Sequence, residues 1–124
     1  MTERMSAKQY REEIGKPKGR NKFGAKKTVV DGVTFDSKRE SEVYSDLLNL
    51  HRAGEISGLV RQRAFNLIVE GQIIGRYTAD FAFIDHREDG RFRVVDVKGV
   101  ITRDFRRVQK IIKAIYNIDV EVIK

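Results

Sequence analysis

Between Gly58 and Gly99 the chain carries three runs rich in β-branched and aromatic residues, "GLVRQRAFNLIV", "QIIGRYTADFAFID" and "RFRVVDVKG". Only the short "EGQ" and "HREDG" separate them, and connections of that length join antiparallel neighbours. The middle of the chain is therefore expected to be a meander of three strands.

On both sides of this block the apolar period changes to that of a helix. In "DSKRESEVYSDLLNLHRAGEI", Val43, Tyr44, Leu47, Leu48 and His51 recur at helical spacing. Asp36 or Ser37 can cap the start and Gly54 stands where a left-handed terminator belongs, which predicts a helix over residues 37 to 53. After Gly99, Phe105, Val108, Ile111, Ile112 and Ile115 form the stripe of a second helix capped near Thr102, and "IDVEVI" closes the chain as a short strand. Upstream, "KTVVDGVTF" reads as two short extended pieces around the turn pair Asp31-Gly32. The expected fold is α/β, with a mixed α+β sheet and the core order α-β-β-β-α-β. A length of 124 residues suits one domain.

Composition removes several classes of function. With no cysteine and only His51 and His86, a disulfide framework and a thiolate zinc site are both excluded. No apolar stretch approaches the length of a membrane span, and "MTERMSAKQYREE" lacks the apolar segment of a secretion signal. A soluble, cytoplasmic protein is expected. The glycines and lysines of "GKPKGRNK" lack phosphate-loop spacing, and no G-x-S-x-G is present for a serine triad.

Charge is unevenly spread. Residues 1–28 hold nine Lys or Arg against three Glu, a net +6 of the chain's +7. This segment contains the only proline and few large apolar groups, so it is expected to be a flexible basic arm preceding a domain over 29–124. Such an arm, including Lys26 and Lys27, attracts nucleic acid by neutralising phosphates, or serves as a solubilising tail. Arg103, Arg106, Arg107 and Lys110 lie off the apolar stripe of the second helix, where they can track a DNA backbone or simply be solvated.

Four places put polar groups where packing prefers apolar ones: Glu40, Gln62, Asp80 and the pair Asp96/Lys98. Strand alternation sends Asp96 and Lys98 to one face and Val95 and Val97 to the other. Glu40 stands three residues after Ser37, as in a capping box, yet also on the stripe that should meet the sheet. Asp80 could face solvent between small neighbours, D-x-K could be a surface ion pair, and Gln62 could be a satisfied group near a sheet edge. In combination they suggest another use. Two adjacent strands bring one carboxylate each to a common region beside a lysine and a helix glutamate. Clustered hard oxygen donors select magnesium or manganese, an ion that polarises a phosphoryl oxygen and activates water.

With those residues in place, the chain resembles the PD-(D/E)XK nuclease superfamily. More narrowly, "KKTVVDGVTFDSKRESEVY", "YTADFAFI" and "VVDVKG" look like a family of small phage-borne proteins assigned to it. The resemblance implies a restriction-endonuclease-like core and a magnesium- or manganese-dependent endonuclease acting on DNA. By position it implies Asp80 and Asp96 as metal ligands with the Val97 carbonyl, Lys98 as the catalytic lysine, Glu40 as the acid of the first helix, and Gln62 at the site's edge. Ala79 stands in place of the signature proline, and Asp96 where many members have glutamate. The superfamily includes junction resolvases, and a small chain with one site would pair with itself to cut both strands. The rival expectations are a non-catalytic nucleic-acid-binding module and a phage protein that binds a host protein.

Overall fold

The computed structural model describes residues 27–35 and 37–124. The expected arm, with Lys26, lies outside the described residues except for exposed Lys27 and for Thr28, which opens the first strand.

Strands β1 (Thr28–Val30) and β2 (Val33–Phe35) pair antiparallel around Asp31 and Gly32. Both turn residues have positive φ, 49° and 76°, the backbone of a two-residue hairpin turn. Helix α1 (Lys38–Arg52) follows. Its start is capped by Ser37, whose hydroxyl accepts from the Glu40 N–H at 3.3 Å. Its end is closed by Gly54, at φ 76°, donating to the His51 carbonyl. The bounds fall within a residue of those the spacing predicts. Val43, Tyr44 and Leu47 are buried, but His51 at the end of the stripe is exposed.

The meander is β3 (Ile56–Val69), β4 (Gln72–Asp85) and β5 (Arg91–Val97), followed by α2 (Arg103–Tyr116) and β6 (Val120–Ile123). In the four-stranded sheet, ordered β3-β4-β5-β6, the meander pairs are antiparallel while β6 runs parallel to β5. The chain thus makes a mixed α+β fold with a helix on each face, because a β5-to-β6 parallel connection needs a crossover and α2 supplies it. On one face α1 packs Val43, Tyr44 and Leu47 against Phe81, Phe83 and Val95. On the other, α2 packs Phe105 and Ile112 against Tyr77, Ala82 and Val94. Each fully buried side chain such as Phe81 or Ile112 contributes about 1.5–3 kcal/mol of apolar transfer.

Strict alternation would place Tyr77, Ala79, Phe81 and Phe83 on one face of β4, and the structure corrects this. Tyr77 and Ala79 join the α2 side, whereas Phe81 and Phe83 join the α1 side. The same change of parity occurs on β3, where Leu59 packs toward α1 but Phe65 and Leu67 toward α2. Both strands turn over together at one step. The ladder pairs Arg61 with Phe81 and Arg63 with Ala79 but skips Gln62–Asp80, and Gln62 has φ 53°. A left-handed residue rotates the strand about its axis, so the faces exchange.

Candidate active site

Beyond that step β4 and β5 part company. Their last ladder pair in this direction is Phe81 with Val95, so Asp80 and Asp96 sit at the opening of a fork. Side chains then take over the role of the ladder. The Asp80 N–H donates to Asp96 Oδ1 at 3.1 Å, and the Val97 N–H donates to Asp80 Oδ2 at 2.8 Å. Val97 thereby orients Asp80 through its amide. Asp96 is 2 % exposed, and its Oδ2 accepts from the buried Tyr77 hydroxyl.

Lys98 completes the group. Its Nζ lies 3.9 Å from Asp96 Oδ2 and 4.6 Å from the centre of the Phe105 ring, on the α2 side of the sheet. Asp96 and Lys98 therefore do project to one face, as strand alternation requires, while Val95 and Val97 pack toward α1. Burial pushes the Asp96 carboxyl up to about 6 and the Asp80 carboxylate adds to this, whereas the Tyr77 hydroxyl and Lys98 act against it. Burial first, and then the bond to Asp96, hold the Tyr77 phenol well above the usual range, so it remains a donor.

A second buried acid shows what a structural carboxylate looks like in the same protein. Asp85, 1 % exposed at the other end of β4, receives Nε and Nη2 of Arg87 at 2.9 and 3.0 Å and Nη1 of Arg93 at 2.9 Å. Arg93 also holds Glu121 through two bonds, at 2.8 and 2.7 Å. The Arg87 bonds, with Arg93 helping, hold the Asp85 carboxyl well below the usual range against its burial. Asp85 is thus neutralised by two guanidinium groups, whereas Asp96 has another carboxylate beside it and one ammonium at the limit of ion-pair distance. The strain of like charge falls on the Asp80–Asp96 pair alone of these two sites.

Glu40 occupies the first turn of α1 and is partly buried. That turn lies at the Lys98 end of the sheet: the Arg39 Nε donates to the Lys124 carbonyl, and the Lys98 N–H to the carbonyl of Ile123 next to it. Among the described residues, however, no set of three or more His, Asp or Glu is gathered so as to hold a metal ion, so Glu40 does not complete a three-acid set there. Gln62 is exposed on the edge strand β3, opposite Asp80 at the step the ladder skips. Arg103, Arg106, Arg107 and Lys110 are all exposed on α2, and among the described residues Arg107 alone of these four is ion-paired, to Asp104 at 3.7 Å. Arg106 and Lys110 also line an open groove of about 700 Å³ between α2 and β6.

The sequence reading passed over Tyr77, which its apolar neighbours made look like ordinary core. Its partner, Asp96, lies nineteen residues away, so no local spacing marked the pair, although a buried phenol needs a partner for its hydroxyl.

Residues 20–123 match the profile of a family described as a protein of unknown function, DUF1064. The chain belongs to the DUF1064 family. The match spans every element from β1 to β6, so the Asp80–Asp96 fork lies inside the family's domain. No curated protein and no solved structure matches this DUF1064 chain.

The chemistry of the donors fits a magnesium or manganese ion. Magnesium is commonly held by one or two carboxylates plus substrate phosphate, not by a full protein cage, and Asp80 with Asp96 supplies such a pair. A hard cation between them would also relieve the Asp80 repulsion that adds to burial in raising the Asp96 carboxyl.

Proposed function

We propose that this DUF1064 protein is a divalent-metal-dependent endonuclease that hydrolyses phosphodiester bonds in DNA. The observation that carries the proposal is the Asp80–Asp96 pair at the β4/β5 fork with the Lys98 ammonium on the same face. The resemblance of "YTADFAFI" and "VVDVKG" to the PD-(D/E)XK signature supports it, as does a mixed sheet with a helix on each face.

When bound by Asp80 and Asp96, magnesium or manganese would polarise a phosphoryl oxygen and lower the pKa of an attacking water. Val97 holds the Asp80 carboxylate in place through its N–H. Lys98, half-shielded against Phe105, offers a positive charge to the negative charge that develops on the phosphoryl group. Arg103, Arg106 and Lys110 supply sequence-independent contacts to the DNA backbone.

Labelled linear, nicked and four-way DNA, incubated with magnesium, manganese or EDTA, tests the proposal. Wild type cuts with either metal and is silent in EDTA. Lys98→Ala still retards DNA while turnover falls roughly a hundredfold or more. Retardation of DNA that is indifferent to metal and to Asp96→Ala, with no cut strand, identifies a binding module instead.

A further inference from the structure

Tyr77 carries a buried hydroxyl that the proposed reaction does not use. It is 8 % exposed, and its ring lies 6.3 Å from Phe65 and 6.3 Å from Phe105, so packing fixes the direction of its hydroxyl. The hydroxyl donates to Asp96 Oδ2 while the Asp80 N–H donates to Oδ1. Two donors, one on each oxygen, leave the carboxylate a single orientation.

The same oxygen has a second suitor. Lys98 Nζ stands 3.9 Å from Asp96 Oδ2, too far for a direct hydrogen bond. A carboxylate without the Tyr77 hydroxyl gains by turning to meet the ammonium, which would both rotate one acid of the pair and close Lys98 onto it. The buried phenol prevents this by satisfying Oδ2 first.

We propose that Tyr77 is a positioning residue for divalent metal: its hydroxyl locks Asp96 in the orientation that presents the Asp80–Asp96 pair to the ion and keeps Lys98 from closing onto it. This deepens the proposed function and rests on it. Groups that orient carboxylate and imidazole ligands from behind are worth roughly ten- to a hundredfold in metal affinity, which sets the size of the effect to look for.

The test is manganese binding in the absence of DNA, followed by electron paramagnetic resonance of the free ion or by calorimetry, on wild type, Tyr77→Phe and Ile112→Val. Tyr77→Phe keeps the ring and loses only the hydroxyl; Ile112→Val trims the same cluster on α2 without removing a ring packed on Tyr77. All are compared below their own unfolding transitions. Tyr77→Phe is expected to bind manganese at least about tenfold more weakly, and Ile112→Val as wild type does. In cleavage assays Tyr77→Phe should need correspondingly more manganese for half-maximal rate and recover as manganese saturates. Wild-type affinity in Tyr77→Phe, or an equal loss in Ile112→Val, overturns the inference while leaving the nuclease proposal standing. A wild type that takes up no manganese either alone or with a DNA duplex present overturns both.

Discussion

The Asp80 backbone N–H donates to Asp96 Oδ1 at 3.1 Å, so two carboxylates on neighbouring strands are held together by the chain itself. That arrangement opposes folding. The ladder ends at Phe81–Val95, and the residues beyond it gather like charge where apolar packing was available. Stability was not what this corner of the sheet was built for.

Asp96→Asn should therefore stabilise the protein at neutral pH. A carboxyl raised from 3.8 to about 6 holds its proton more tightly when folded. Stability is then greatest below the unfolded value and is lost as pH rises from about 4 to 6, by about 3 kcal/mol in all. The amide removes this term but satisfies only one of the two donors well, which costs about 1 kcal/mol. Urea unfolding in EDTA should show a net gain of about 1–2 kcal/mol at pH 7.5 that disappears by pH 4.5. A gain of equal size at both pH values would mean that charge is not its source.

Asp85→Asn should act in the opposite direction. Bonds from Arg87 and then Arg93 lower the Asp85 carboxyl, so its contribution is present above the ordinary carboxylate value near 3.9 and is lost as pH falls below it. Removing the charge also takes from Arg87 its carboxylate partner and leaves Arg93 with Glu121 and Glu88. The expected loss at pH 7 is on the order of 2 kcal/mol, with a flatter acid limb and unchanged manganese affinity. Acid and urea titrations of the variant beside wild type measure both; an unaltered acid limb would show that the cluster contributes nothing.

The elements were legible because their signals are local. Ser37 and Gly54 mark α1, Thr102 starts α2, and the turns at Asp31-Gly32 and Glu70-Gly71 each carry a glycine at positive φ. The exchange of faces at Gln62 and Asp80 was not legible, because nothing in "VRQRA" requires a left-handed glutamine; that conformation is found only at the step the folded ladder skips. The acid pair could be read from D-x-K and "YTADF", but its support could not. Tyr77 and Asp96 are nineteen residues apart and meet only when the fork forms.

Gln62→Gly provides a test of that left-handed step. A non-glycine residue at φ 53° carries strain of about 1 kcal/mol, which glycine relieves and a β-branched residue increases. Gln62→Gly should raise the unfolding free energy by about 0.5–1 kcal/mol, and Gln62→Val should lower it by about 1–2 kcal/mol. If Gln62 acts only through the backbone, Gln62→Gly keeps the cleavage rate. A fall in rate with undiminished stability would instead give the exposed side chain a part at the edge of the site.

The helix α2 offers the last prediction, in which ion pairing separates neighbours of like charge. Arg103, Arg106 and Lys110 are exposed and make no ion pair among the described residues, whereas Arg107 is already met by Asp104 at 3.7 Å. Each unpaired cation that meets a phosphate releases condensed counterions, steepening the fall of log K with log salt by about 0.9. Replacing Arg103, Arg106 and Lys110 together by glutamine should flatten that slope by roughly 2–3 for duplexes of any sequence, and Arg107→Gln should change it by much less. Fluorescence anisotropy of a labelled duplex across a salt series, with calcium in place of magnesium so that no strand is cut, gives the slope. An unchanged slope in the triple variant moves the DNA off α2, and a sequence-dependent loss would show that these residues read bases where only the backbone was expected.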